Sequence, residues 1–220
     1  MCNLYSQTKG QEAIRSVARA MRDMAGNLPP MPGIFPDYPA PILCNAPDGE
    51  RELTMARWGM PTPPTFLKGK RTDPGVTNVR NAASPHWRRW LGVEGRCVVP
   101  FTSFSENEAL PDGSHAPVWF ALGDDRPLAF FAGIWTRWTS VRKVKEGETT
   151  NDIFAFLTTE PNAVVQPVHA KAMPVILTTA GQIEAWLKAP APDALKLQRP
   201  LPDDALRIVA RGERRDGAVL

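Results

Sequence analysis

The sequence predicts an α+β fold: a predominantly antiparallel, barrel-like curled β-sheet with a few flanking helices. Three observations carry this. Short apolar runs of strand length recur between Gly, Pro and Asp turn signals. Helical periodicities are few and do not alternate regularly with the strands, which argues against a doubly wound parallel sheet. A length of 220 residues with 43% hydrophobic content suits one core, so a single domain over residues 2–220 is expected.

The elements follow in order. Residues 11–25 read as an amphipathic helix, because Ile14, Val17, Ala18, Met21 and Met24 keep helical spacing and Gly26 can cap it. Next comes NLPPMPGIFPDYPAP. Proline fixes φ and removes a donor, so residues 28–41 form an extended or turning surface segment, with Ile34, Phe35 and Tyr38 held against the body. Residues 42–45 and 52–58 flank an Asp48-Gly49 turn and predict a hairpin. Ser84-Pro85 opens a short helix with Trp87, Trp90 and Leu91 on one face. Strands are expected at 96–104, 116–122, 128–135, 152–158 and 173–177, with a long polar loop over 136–150. A helix over about 180–188, a short one over 194–198 and a strand over 206–210 complete the chain.

Composition excludes several classes. No run of about 18 apolar residues exists, so no membrane span or membrane partner is expected. The N-terminus lacks the basic region and apolar run of a signal peptide, which predicts a cytoplasmic protein. No Gly-rich loop precedes a helix, so no nucleotide cofactor is expected. Cys2, Cys44 and Cys97 are far apart, with no C-x-x-C pair, so neither a disulfide framework nor a metal site is indicated. No oligomer signal is present, and a monomer is the expectation. A net charge of +3 is too small to announce nucleic-acid binding. The local pattern says more: HWRRW at 86–90, and Trp135, Arg137, Trp138, Arg142, Lys143 and Lys145, interleave cations with indoles, the chemistry that holds single strands.

The chain opens MCNLYS. If Met1 is removed, Cys2 carries an α-amine with a pKa of about 7.7–8.0 beside a thiol of about 8.5. Such a pair condenses with an aldehyde to an imine and closes to a thiazolidine. It can also serve as a one-residue hydrolase with its own amine as base. An ordinary small residue starting a strand remains the alternative. Glu106 follows an apolar run and can exchange protons if poorly solvated. His169, at the entry of an apolar run, suits proton transfer. Asn78 and Arg80 lie in a polar stretch suited to a sugar or phosphate, or to capping a turn.

MC at the start, Trp58-Gly59, Asn78-Val79-Arg80, RCVVP leading to Glu106, and H-x-K-x-MPVIL from His169 occur in this order. Together they resemble the SOS-response-associated peptidase (SRAP) family from Cys2 to at least Leu177. The resemblance implies a protein of the DNA damage response that binds single-stranded DNA. It implies covalent trapping of abasic sites through a thiazolidine between Cys2 and the ring-opened sugar, and peptidase-type processing of the N-terminus. It implies Cys2 as nucleophile, Asn78 beside the aldehyde, Glu106 as proton shuttle and His169 assisting sugar opening. Asn3, Trp58, Arg80, Lys171, Arg137 and Arg142 are then the expected DNA contacts, and the protein is nucleoid-associated when bound. The alternative is a cysteine peptidase or amidohydrolase that uses Cys2 on peptide substrates. The chain departs from the family pattern at Asn3-Leu4 and at Ser103-Phe104-Ser105-Glu106-Asn107.

Overall fold

The computed structural model describes residues 2–216; Met1, whose removal the sequence reading expects, and residues 217–220 lie outside the described residues. In chain order the elements are β1 (Leu4–Gln7), α1 (Gln11–Ala18), β2 (Arg22–Asp23), β3 (Met31–Ile34), β4 (Pro39–Asn45), β5 (Arg51–Trp58), α2 (Pro64–Leu67), β6 (Asn78–Val79) and α3 (Pro85–Arg88). They continue with β7 (Arg96–Phe101), β8 (Ser103–Ala109), β9 (His115–Ala121), β10 (Ala129–Val141), β11 (Glu148–Thr159), β12 (Met173–Pro174), β13 (Ile176–Leu177), α4 (Ala180–Lys188), α5 (Ala191–Ala194) and β14 (Arg207–Arg211).

Five strands close on themselves. β5 pairs β4, β4 pairs β7, β7 pairs β10 and β10 pairs β11, all antiparallel. The ring shuts where β11 meets β5 in parallel, Ile153 opposite Arg57 and Phe154 opposite Trp58. Closure removes the edges a flat sheet would expose. A second sheet, in the order β14-β9-β8-β1-β3, lies beside the barrel. The chain passes from barrel to sheet at Thr102, whose N–H bonds the Ser6 carbonyl at 2.8 Å. The fold class is therefore α+β, as expected.

Two apolar clusters fill the body. One contains Tyr5, Trp58, Phe101, Phe104, Phe131, Phe154 and Phe156. The other brings Ile14 of α1, Trp87 and Trp90 beside α3, and Trp186 of α4 together with barrel residues. Trp186 is fixed by donating Nε1–H to the Cys97 and Gly133 carbonyls at 2.8 and 3.1 Å. Helix α4 starts on a capping box formed by Thr179 and Gln182.

Three expectations are corrected. The first helix ends at Ala18 rather than residue 25, because Arg19 turns left-handed (φ 54°) and the Met21 and Met24 N–H groups then bond β5 carbonyls. The loop expected over 136–150 shrinks to a turn over 142–147: β10 and β11 run on as a ribbon with Arg137 opposite Asp152 and Thr139 opposite Thr150. The expected 96–104 strand breaks at Thr102, so Glu106 lies within β8 and not beyond a strand end. The hairpin about Asp48-Gly49 forms as read, with Gly49 in the left-handed region at φ 84°.

Candidate functional site

Strand β1 is held against β8 with Leu4 opposite Ser105. Cys2 lies two residues ahead of that pairing and Glu106 one residue beyond it. Both are interior: Cys2 is 0% and Glu106 3% exposed. The Cys2 thiol donates to the Leu4 carbonyl at 3.4 Å. Asn78 comes from β6, which runs parallel to β11 with Asn78 opposite Phe156. Its Nδ2 donates to the Cys2 carbonyl and to Thr77 Oγ1, both at 2.8 Å. Its Oδ1 is buried with no partner among the described residues, an acceptor left open beside Cys2. Thr77 Oγ1 in turn donates to Asn3 Oδ1 at 3.1 Å.

His169 is half-buried, its N–H bonded to the Val165 carbonyl at 2.9 Å. Its Nδ1 stands 2.9 Å from the Ala172 carbonyl oxygen and 3.2 Å from the Ala172 nitrogen. Nδ1 accepts from the Ala172 N–H in one tautomer and donates to the Ala172 carbonyl in the other, and only the second leaves Nε2 as the basic nitrogen.

Electrostatics tie these residues together. Burial pushes the Cys2 thiol far up, and the Glu106 charge pushes it further. Burial raises Glu106 from an ordinary value of 4.5 to about 7, with the positive amino terminus opposing. Burial lowers His169, the Ala172 hydrogen bond acts against this, and the amino terminus and Lys171 lower it further. At neutral pH the thiol is thus protonated, the imidazole is neutral and Glu106 is shared between its two forms. A carboxyl near its midpoint and an amide donor beside the Cys2 thiol, with a neutral imidazole that feels the same amino-terminal charge, suit proton transfer rather than thiolate attack. A pocket of about 310 Å³ opens beside Glu106, lined also by Asn3, Leu4 and Ser105.

Tyr5 was not singled out by the sequence. It is fully buried, edge-on to Trp58 at 5.1 Å, and its hydroxyl has no partner among the described residues. Burial raises its pKa first, and the charge of Cys2 second.

The expected DNA contacts divide. Asn3 is exposed at the pocket, and Arg80 and Lys171 are exposed. Arg80 lies 3.5 Å from Glu160. Arg137, with a side chain 72% exposed, projects from the β10–β11 ribbon 3.4 Å from Asp152. Trp58 and Arg142 are corrected, because both side chains lie in the interior of this structure rather than on a surface. Trp58 is 1% exposed, stacked on Phe154 and Phe156, and its Nε1–H bonds the Thr77 carbonyl at 3.1 Å. It braces the segment that carries Asn78. The Arg142 side chain is 2% exposed and spent on the Gly59 carbonyl and Asp73. The indoles of HWRRW are likewise interior: Trp87 and Trp90 are buried, and Arg89 lies over the Trp90 ring at 3.9 Å.

The family model described as SOS response associated peptidase (SRAP) matches residues 1–211. No curated protein sequence matches the chain. Among solved structures, a protein from Bordetella bronchiseptica is similar at 26% identity with a TM-score of 0.70, over 96% of this chain and 98% of that one. A protein from Bacteroides thetaiotaomicron aligns at 19% identity and TM-score 0.71, over 94% of this chain and 90% of its own. A phage-related protein of Bordetella bronchiseptica aligns at 20% identity and TM-score 0.69, over 94% and 92%. The last two likenesses speak to the fold alone.

Proposed function

The chain belongs to the SOS response associated peptidase (SRAP) family, and from that membership we propose that it traps abasic sites in single-stranded DNA as a thiazolidine on Cys2. The observation that carries the reading is the buried grouping of Cys2, Asn78 and Glu106, with Glu106 titrating near neutrality.

In this reading Met1 is removed and Cys2 bears the free amine. Arg80, Lys171 and Arg137 attract the phosphates of the strand. In the tautomer with Nδ1 protonated, His169 Nε2 takes the proton of the C1′ hydroxyl, the ring C–O bond breaks to give the aldehyde, and the imidazolium returns the proton to the former ring oxygen. The neutral amine adds to the aldehyde carbon and gives a carbinolamine. Glu106, as the acid, protonates the departing hydroxyl, water leaves and a protonated imine (iminium) forms. The carboxylate so generated takes the thiol proton as sulfur adds to the iminium carbon, closing the five-membered ring with a neutral nitrogen. The carboxyl thus ends the cycle as it began. Because the resting thiol is protonated, the amine reacts first and sulfur second. Asn78 Nδ2 fixes the Cys2 carbonyl and so the amine, while its open Oδ1 faces the developing hydroxyl. Holding both partners in place can supply several of the roughly 7–11 kcal/mol that proximity offers.

The peptidase named in the family description fits less well as a general activity on other proteins. A cysteine nucleophile is activated by a lowered pKa, and burial here raises it. Processing of the chain's own N-terminus is the peptidase-type role that remains.

Intact mass, before and after incubation with an oligonucleotide carrying one abasic site, tests the reading. The expected result is a protein lacking methionine and an adduct that survives denaturation without borohydride and is absent in Cys2→Ala. A processed protein that forms no adduct would sink it. Peptide turnover lost in Cys2→Ala would then make the hydrolase reading the better one.

A further inference from the structure

The pocket beside Glu106 has a far wall built by two segments that the chemistry above does not use. One is the Pro-rich stretch, which contributes Phe35 and Pro36. The other is the end of the described chain, which contributes Arg214. Asn107 and Pro117 close the floor between them. Residues 212–216 lie beyond the part of the chain that the family model matches.

Neither segment rests there by accident. Asp37 turns left-handed (φ 72°) and its carboxylate grips Arg57 through two bonds of 2.6 Å, with Lys143 at 3.0 Å. The Asp37 N–H bonds the Trp58 carbonyl at 2.9 Å. These contacts fix the loop that presents Phe35. The tail is pinned at three points. The Gly212 N–H bonds the Pro117 carbonyl at 2.8 Å, and Trp119 Nε1–H bonds the Glu213 carbonyl at 2.8 Å. The third point is Asp216, 1% exposed, which binds Arg126 through both oxygens at 2.6 and 2.8 Å and accepts from Ser103 Oγ at 2.5 Å. The Asp216 N–H also bonds the Pro32 carbonyl at 2.9 Å, which ties the tail to the Pro-rich stretch.

Between these anchors the Arg214 side chain is exposed, with no ion pair or hydrogen bond among the described residues. Among the described residues it is the cation of a pocket whose other charged lining residue is Glu106, and Phe35 lines the same pocket. A pocket of about 310 Å³ falls at the small end of ligand sites. An aromatic face and a cation on preorganised backbone are the parts that hold one unit of a single strand: the base stacks on the ring and the phosphate meets the guanidinium.

We infer that Phe35 and Arg214 form a subsite for the nucleotide next to the lesion, Phe35 stacking its base and Arg214 binding its phosphate. The subsite rests on the abasic-trap reading, since it supposes that a single strand crosses this pocket. It gives the Pro-rich segment and the tail a role: they orient the strand so that the neighbouring sugar faces Cys2.

The test is noncovalent binding of a lesion-free single-stranded oligonucleotide, followed by fluorescence anisotropy from 50 to 200 mM salt. Arg214→Gln should bind roughly three- to tenfold more weakly at the low-salt end, and its log–log salt slope should shrink by about 0.7, the share of one phosphate. Arg214→Lys should restore most of both. Phe35→Ala should weaken binding at every salt concentration and leave the slope unchanged. Wild-type affinity and slope in Arg214→Gln would overturn the phosphate contact, and wild-type affinity in Phe35→Ala would overturn the stacking. Adduct formation by the wild-type protein, read separately by mass, keeps the two ideas apart. An adduct with unaltered Arg214→Gln binding refutes the subsite alone. Absence of both adduct and single-strand binding in the wild type refutes the trap and the subsite together.

Discussion

At the scale of single residues, Glu106 bears on the proposed chemistry and on stability alike. As shuttle it gives a proton in one step and takes one in the next. Glu106→Gln should therefore slow adduct formation by roughly a hundredfold or more, read as the rate of the mass shift. An unchanged rate would remove the assignment. Stability gives an independent check. The folded state holds the Glu106 proton up to about pH 7, whereas the unfolded chain loses it near 4.5. Between these values the folded state binds more protons, so stability falls as pH rises across the window and levels off above it. The loss is about 3 kcal/mol at most. In Glu106→Gln that fall should vanish, leaving the variant more stable than wild type at pH 8 and no more stable below pH 4.5. Urea midpoints across that range decide it. Of the buried group, Cys2 was legible from its position. Asn78 and Glu106 were legible from ordered motifs. Tyr5 was not, since an interior hydroxyl and an ordinary core ring look alike in a sequence.

At the scale of elements, Trp58 connects the barrel to the site. It ends β5, fills the core against Phe154 and Phe156, and bonds the carbonyl of Thr77 beside Asn78. Trp58→Phe keeps a ring in the core but leaves that carbonyl unpaired, which costs about 1–3 kcal/mol. Denaturant unfolding should report the loss, and adduct formation should slow because the Asn78 segment loosens. Lower stability with an unchanged rate would confine Trp58 to packing. The same residue shows where sequence reading falls short. An indole beside a glycine resembles a stacking platform as readily as a core residue, and only the folded neighbours separate the two. The β10–β11 ribbon was misread for a related reason. Beyond Trp135 its residues are mostly polar and partly exposed, so no apolar face marks the strands. Helix α1 was overextended because Met21 and Met24 keep the spacing but are 74% and 67% exposed. The Asp48-Gly49 hairpin and α4 were read well, since their turn and cap signals are local.

At the scale of the whole molecule, nonlocal pairings decide the architecture. The barrel closes through β5 and β11, far apart in the sequence, and no pattern in either strand names the other. A barrel-like sheet was legible, but the strand pair that closes it was not, and the eight expected strands fall short of the fourteen formed among the described residues. Cys2 depends on equally distant partners: β1 lies against β3 and β8, and Asn78 holds the Cys2 carbonyl. This has a consequence for biosynthesis. Strand β8 is made about 100 residues after Cys2, roughly 5–20 s later at ordinary elongation rates. During that interval the nascent N-terminus is open to an aminopeptidase, and afterwards Cys2 is buried. Chain that keeps Met1 past this point should resist methionine aminopeptidase when folded and yield to it only when denaturant opens β1, a difference that intact mass can read. Rapid trimming of the folded protein would show that β1 opens readily in the native state. In the proposed trap, the ribosome thus sets the time in which Met1 is most easily trimmed.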